Sequence, residues 1–247
     1  RAGGRLTGKV GGVTLGALNI ETGDDTGATA ATSTPATNFT ALRIKRDILR
    51  RSTVGAMFTN RSVDAAGNGA NQAFGVDAAL SFFDNVSAGG YYAKTSTPDS
   101  GTDDASYMGR MYYDGDRYGA RVDYTKVGKD FNPEVGFLRR LDFRRSAVDL
   151  RFSPRPVRRG RIRQYTYDVN AEYIENNAGH LDSRSVTGHF GVELTNSDQA
   201  SVEVNGNYEG LLKAFPVATG IAIAPGGYGF NDAIVKYQAG QQRRVSG

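Results

Sequence analysis

The sequence predicts an all-β fold of antiparallel strands, on three observations. Apolar side chains recur at every second position through about thirteen segments of the 247-residue chain. No stretch carries a capped stripe at helical spacing. Connections alternate between short ones rich in Gly, Asn and Asp and long polar ones.

In chain order, the first strand covers Arg5–Val10 and turns at Gly11–Gly12 into a second, which ends at the long link Glu21–Asn38. In Phe39–Arg50, Leu42, Ile44 and Ile48 share a face with Arg46, while Arg43, Lys45 and Asp47 take the other. Charge on both faces predicts a bulge or a place near a membrane rim, where Arg costs less than at the midplane. After a short link at Arg50–Ser52 comes Val54–Phe58. Past the long link Ser62–Gln72, Phe74–Phe82 sets Phe74, Val76, Ala78, Leu80 and Phe82 against Gly75, Asp77, Ala79 and Ser81. Val86–Tyr92, Tyr107–Tyr113 and Tyr118–Tyr124 alternate likewise, separated by Asp84–Asn85, Thr95–Asp104 and Asp114–Asp116. The link Gly128–Arg140 precedes Val148–Phe152, and Pro154–Gly160 leads to Tyr165–Tyr173. After Glu175–Asp182, Val186–Leu194 and Ala200–Tyr208 flank Asn196–Asp198. Glu209–Asn231 then reaches Ala233–Ala239.

Tight turns at one end and long loops at the other predict a specific subclass, a transmembrane β-barrel of outer-membrane type. Its strands need about 9 to 11 tilted residues to cross the apolar layer. Hydrocarbon leaves no backbone polar group unpaired, so the sheet must close. The apolar row would meet lipid and end in an aromatic girdle: Phe58, Phe74, Tyr92, Tyr124, Tyr173 and Tyr208 beside long loops, and Phe82, Tyr118, Phe152 and Tyr165 beside short turns. The opposite row supplies the lumen-lining candidates Asp77, Arg117, Arg121, Asp123, Arg145, Asp149, Arg151, Asp168, Glu172, His189 and Glu203, with Asn170 and Asn205 among them. Opposite charges there can pair, and a local surplus of Arg would favour anionic solutes; the equal alternative is a charge ladder that only holds the wall together. The competing reading makes the same aromatics the core of a soluble sandwich and the charged row its outer coat.

The whole chain, 1–247, reads as one domain. Bacterial single-chain barrels have even strand counts, so about thirteen strands predict part of a larger barrel, incomplete at one or both ends. Three stretches carry a family resemblance: Gly3–Thr22 (GGRLTGKVGGVTLGALNIET), Asn38–Ser62 (NFTALRIKRDILRRSTVGAMFTNRS) and Phe131–Arg145 (FNPEVGFLRRLDFRR). They resemble the C-terminal barrel domain of unknown function that follows a family-nine-like carbohydrate-binding module in Gram-negative envelope proteins. The resemblance implies an outer-membrane barrel and a link to carbohydrate. It points to Asn132–Glu134 with Arg139, Arg140, Arg144 and Arg145 as the part with a dedicated role.

Several chemistries are excluded or weak. With no Cys, thiol catalysis and disulfides are out. No G-x-S-x-G, HExxH, P-loop or dinucleotide fingerprint occurs. A formal charge of +4 is too small to imply nucleic acid. No apolar run approaches the roughly 20 residues of a membrane helix. Of two His, His180 falls in a loop and His189 on a polar strand face, where it reads as a wall residue. The acidic loops Glu21–Asp25 and Asp99–Asp104 lack the ordered spacing of a calcium loop. No cofactor, metal or catalytic residue is assigned, and the chain reads as a non-enzyme. The expected partners are outer-membrane lipid and envelope proteins. Arg155, Arg158, Arg159, Arg161 and Arg163 form a basic turn for lipid phosphate or an acidic partner. Ala214–Gly229 is apolar for a loop and is expected either to fold into the lumen as a constriction, the preferred reading, or to extend the wall. The leading function is a channel for a solute; the alternatives are an anchor or docking platform and, least supported, an outer-membrane hydrolase.

Overall fold

A computed structural model describes residues 1–24, 35–65, 67–157 and 160–241. Asp25, Arg158, Arg159 and the tail from 242 onward, all singled out above or adjoining residues that were, lie outside the described residues.

The described residues hold fifteen strands and no helix. They are β1 (Ala2–Val10), β2 (Val13–Glu21), β3 (Asn38–Ile48), β4 (Ser52–Arg61), β5 (Asn71–Phe82), β6 (Val86–Ser96), β7 (Ala105–Asp114) and β8 (Tyr118–Val127). Then follow β9 (Phe143–Phe152), β10 (Ile162–Glu175), β11 (Leu181–Leu194), β12 (Gln199–Leu211), β13 (Phe215–Ala218), β14 (Ile221–Ile223) and β15 (Gly226–Gln238). Thirteen form one sheet in sequence order, β1 to β12 and then β15, while β13 and β14 make a separate hairpin. Consecutive strands of the sheet pair antiparallel, as short turns between them require.

Two expectations about local structure change. β3 pairs with β2 and β4 in unbroken register, so the charges on its two faces come without a bulge. The apolar stretch after β12 is in part strand, which lengthens the wall. β12 runs on to Leu211 and β15 starts at Gly226, and between them β13 and β14 form a hairpin exposed along its whole length. Backbone pairing with β12 recruits the glycine-rich Gly226–Asn231 into a strand, with Tyr228 opposite Glu209 and Phe230 opposite Asn207.

The chain divides into two compact units, Arg1–Gly109 with Thr125–Phe143, and Arg110–Tyr124 with Arg144–Gly247. In unit one the register puts Leu15, Leu42, Val54, Phe58, Phe74, Val76 and Phe82 on one face, and Arg43, Gly55, Asp77 and Thr59 on the other. It is the apolar face that stands open: Phe74 is 50% and Val76 56% exposed, while Asn71 and Thr95 on the polar face are buried. Unit two repeats this inversion, with Val122 52% and Val204 54% exposed against 6% for Asp123. The buried hydrophobic residues are only Val127, Phe131 and Ala147, against ten buried polar ones, so among the described residues neither unit has an ordinary apolar core.

Candidate functional site

The polar face of unit two carries a ladder of charged and hydrogen-bonding side chains. Antiparallel pairing aligns Arg151, Asp168, His189 and Glu203 in one row across β9 to β12, and Asp149, Asn170, Thr187, Asn205 and Asp232 in the next. Arg145 is its hub. Its Nη1 donates to Asp123 Oδ1 at 2.8 Å and its Nε to Glu172 Oε2 at 2.5 Å. Asp123 is almost enclosed, its side chain 7% exposed, so a carboxylate there depends on that guanidinium. Arg121 lies 3.6 Å from Asp149 and 3.9 Å from Asp123, and its guanidinium packs over the Tyr112 ring at 5.2 Å.

Toward the short turns, Arg151 donates to Asp114 Oδ1 at 2.7 Å and to the Gly115 carbonyl at 2.8 Å. Room for that side chain comes from Gly119, where a Cβ would stand 3.0 Å from Arg151 Nε. His189 Nδ1 lies 2.9 Å from Asp168 Oδ2, a contact that fixes the ring over Gly191. Asn205 joins three strands, accepting from Thr187 Oγ1 at 2.7 Å and donating to Asp232 and to Glu203. Arg117 is the exception among the lumen-lining candidates. It lies exposed in the turn before β8, off the strand wall, with its carbonyl accepting from Ser153 N.

Unit one shows the same device twice: Lys9 on β1 donates to Asp47 Oδ2 on β3 at 2.7 Å across β2, and the second bridge is more enclosed. Arg43 on β3 donates to both carboxylate oxygens of Asp77 on β5, reaching across β4. Alternate strands lie about 9 to 10 Å apart, and the bridge passes over Gly55, where a Cβ would stand 2.6 Å from the guanidinium. Leu18, Ile20, Phe39 and Met57 share this face, so it is less polar than the sequence reading supposed.

The Asn132-Pro133-Glu134 segment has a defined place in unit one. Asn71, fully buried at the start of β5, donates to the Asn132 carbonyl at 2.8 Å and to Thr97 Oγ1 at 2.7 Å, and accepts from Glu134 N at 3.2 Å. Asn132 N donates to Thr95 Oγ1 at 3.0 Å. The Glu134 carboxylate accepts from Arg61 Nη1 at 2.9 Å and from the Ala65 amide. These bonds clasp the loop after β8 to the ends of β4, β5 and β6, and seat Phe131 and Val127 as the small apolar core there. The neighbouring arginines divide: Arg144 reaches Glu175 at 3.1 Å, Arg145 joins the ladder, Arg140 stacks over Phe143 at 5.5 Å, and Arg139 is exposed.

On the apolar face of unit two, Tyr118, Phe152, Tyr167 and Phe190 stack in series with centroids 5.0–6.0 Å apart, and Tyr165 joins at 6.3 Å. Tyr167 and Phe190 were not among the girdle residues read from the sequence, because both fall inside their segments rather than at the ends. Of those that were, Phe74, Phe82, Tyr92, Tyr118, Tyr124, Phe152 and Tyr173 stand exposed on the apolar face, and Phe58, Tyr165 and Tyr208 are half-buried.

Among the described residues no cluster of His, Asp and Glu has the geometry of a metal site. In the basic turn, Arg155 pairs with both oxygens of Asp116 at 2.7 and 2.9 Å, and Arg163 with Glu193 at 2.8 Å. Comparison with known protein families, with curated proteins and with solved structures finds no match for this chain.

Proposed function

We propose that the chain forms the wall of an outer-membrane β-barrel whose charged face lines a water-filled passage for a hydrophilic solute, carbohydrate being the class the resemblance implies. The observation that carries the reading is the inverted burial: apolar rows open, polar and charged rows enclosed or paired. A soluble sheet reverses this, since soluble monomers rarely expose contiguous apolar patches beyond a few hundred Å². Two further features fit a bilayer. The loop-side margin of the apolar face in unit one is a row of amides and hydroxyls, with Asn19 donating to Asn38 at 2.9 Å and to Thr40 at 2.8 Å, suited to headgroup depth. The aromatic stack of unit two lies at the turn-side margin, where a girdle belongs. The edge strands β1 and β15 are exposed throughout. In a bilayer such edges need partners for their backbone groups.

The test is reconstitution. The protein should migrate as a heat-modifiable band, give a strand-rich circular dichroism spectrum in micelles, and conduct ions in a planar bilayer. A stable fold in detergent-free buffer with no conductance would overturn the reading. A second reading, a docking platform for envelope proteins, draws on the exposed hairpin β13–β14, where Phe215, Val217 and Ile221 have no apolar cover. A stable co-purifying partner, lost on Phe215→Ser with Ile221→Ser, would favour it.

A further inference from the structure

We propose that the apolar face of unit one holds a discrete site for one anionic glycerophospholipid, its acyl chain in a groove across β3 to β6 and its phosphate on Arg46. The proposal rests on the membrane reading above and goes beyond it, because a barrel needs only a uniform greasy surface.

The groove has a volume of about 770 Å³ and is lined by Ile44, Val54, Ala56, Val76, Ala78 and Tyr92 among others. Its floor is written in the register. Val54 pairs with Ala78 and Ala78 with Gly90, Ala56 pairs with Val76, and Leu80 with Ala88. Side chains that stop at Cβ or lack it leave a trough between the taller Ile44, Leu80 and Tyr92.

Arg46 borders the same groove. It shares the apolar face with Val13 and Val54, its pairing partners. The other charges of β3 point to the opposite face, where Arg43 meets Asp77 and Asp47 meets Lys9. Asp77 also borders the groove, but its side chain lies on the opposite face, where its carboxylate accepts from Arg43. The only acidic residue on the Arg46 face of β2 to β5 is Glu21, at the far end of β2, where it accepts from Asn38. An arginine facing hydrocarbon is costly at the midplane and tolerable at phosphate depth. A guanidinium presents a planar fork that matches a phosphodiester. A neutral lipid would fill the trough and leave Arg46 unanswered, while free phosphate would answer Arg46 and leave the trough empty. A phospholipid with an acidic headgroup satisfies both.

The test is native mass spectrometry of the full chain folded in micelles, with equal amounts of phosphatidylglycerol and phosphatidylcholine. Wild type should retain one phosphatidylglycerol molecule in about fivefold excess over phosphatidylcholine, the worth of one arginine beside an anionic headgroup. Arg46→Gln should level that preference, and Ala78→Leu, which fills the floor, should abolish retention of both lipids. Micelle circular dichroism must show each variant folded. Equal retention of the two lipids by wild type, or an unchanged preference in either folded variant, overturns the site while leaving the barrel standing. Failure of wild type to fold in micelles removes the barrel and the site together.

Discussion

Replacing Arg145 by Gln tests whether the ladder of unit two holds the wall together. The change removes the hydrogen bonds to Asp123 at 2.8 Å and Glu172 at 2.5 Å while keeping most of the side-chain volume. Stripping one partner from a buried ion pair costs about 3–5 kcal/mol, because the remaining charge is left enclosed. The figure here is smaller. Arg145 is 31% and Glu172 36% exposed, and Arg121 remains 3.9 Å from Asp123, so water and a second cation offset part of the loss. About 2 kcal/mol is expected, nearly all of it from Asp123, whose side chain is 7% exposed. Adding Asp123→Asn removes the stranded charge and should recover about 1 kcal/mol, a coupling within the range for residues in contact. The assay is urea unfolding in micelles followed by tyrosine emission, which reports cleanly in a chain with 13 Tyr and no Trp. If Arg145→Gln loses less than about 0.5 kcal/mol, the scale of an exposed pair, or the double variant is no more stable than the single, the enclosed-carboxylate argument is wrong.

Asn71→Ala should release the clasp on the Asn132–Glu134 loop. It leaves the Glu134 amide and the Asn132 carbonyl without their partner, and three lost hydrogen bonds at about 1 kcal/mol each predict about 3 kcal/mol and faster proteolysis between residues 128 and 136; an unchanged cleavage rate would show that the loop is held by other means. Leu49, in the turn after β3, adopts a left-handed φ of 52° and is exposed. Leu49→Asn should stabilise by about 1 kcal/mol, read as a raised midpoint in the same urea titration, because Asn tolerates that conformation.

How much was legible follows from how local each signal is. The period of two placed the strands of β5, β8, β11 and β12 because alternation is a property of neighbours along the chain. The same parity sorted Arg121, Asp123, Arg145, Asp149 and Arg151 onto one face of unit two. Legibility failed where a residue answers to something distant. The clasp joins Asn71 and Arg61 to a loop 61 and 73 residues further on, and Gly55 is conspicuous only once β3 and β5 are seen to reach across it. Gly226–Asn231 reads as loop because glycine carries no face, and only pairing with β12 makes it a strand. Arg117 shared parity with the wall but sits beyond its end, since parity says nothing of where a strand stops.

The polar faces of the two units carry opposite surpluses of charge, which under the proposed function separates two controls on ion flow. On the strands of unit one, Arg5, Lys9, Arg43, Lys45 and Arg61 face Asp47 and Asp77. In unit two, Arg121, Arg145, Arg151 and Lys236 stand among Asp123, Asp149, Asp168, Glu172 and Glu203, with Glu209 and Asp232 on the same face of β12 and β15. Acidic side chains therefore outnumber basic ones on this face of unit two. Fixed charge draws counter-ions into an aqueous passage and repels co-ions. Neutralising Arg5 and Lys45 by Gln should move the reversal potential in a salt gradient toward cation preference, and Glu203→Gln with Asp232→Asn should move it the other way. All four are exposed or half-buried, and the partner each carboxylate loses is an amide, so folding should survive. Shifts of the same sign from both pairs, or no shift from either, would mean that these faces do not line the conducting path.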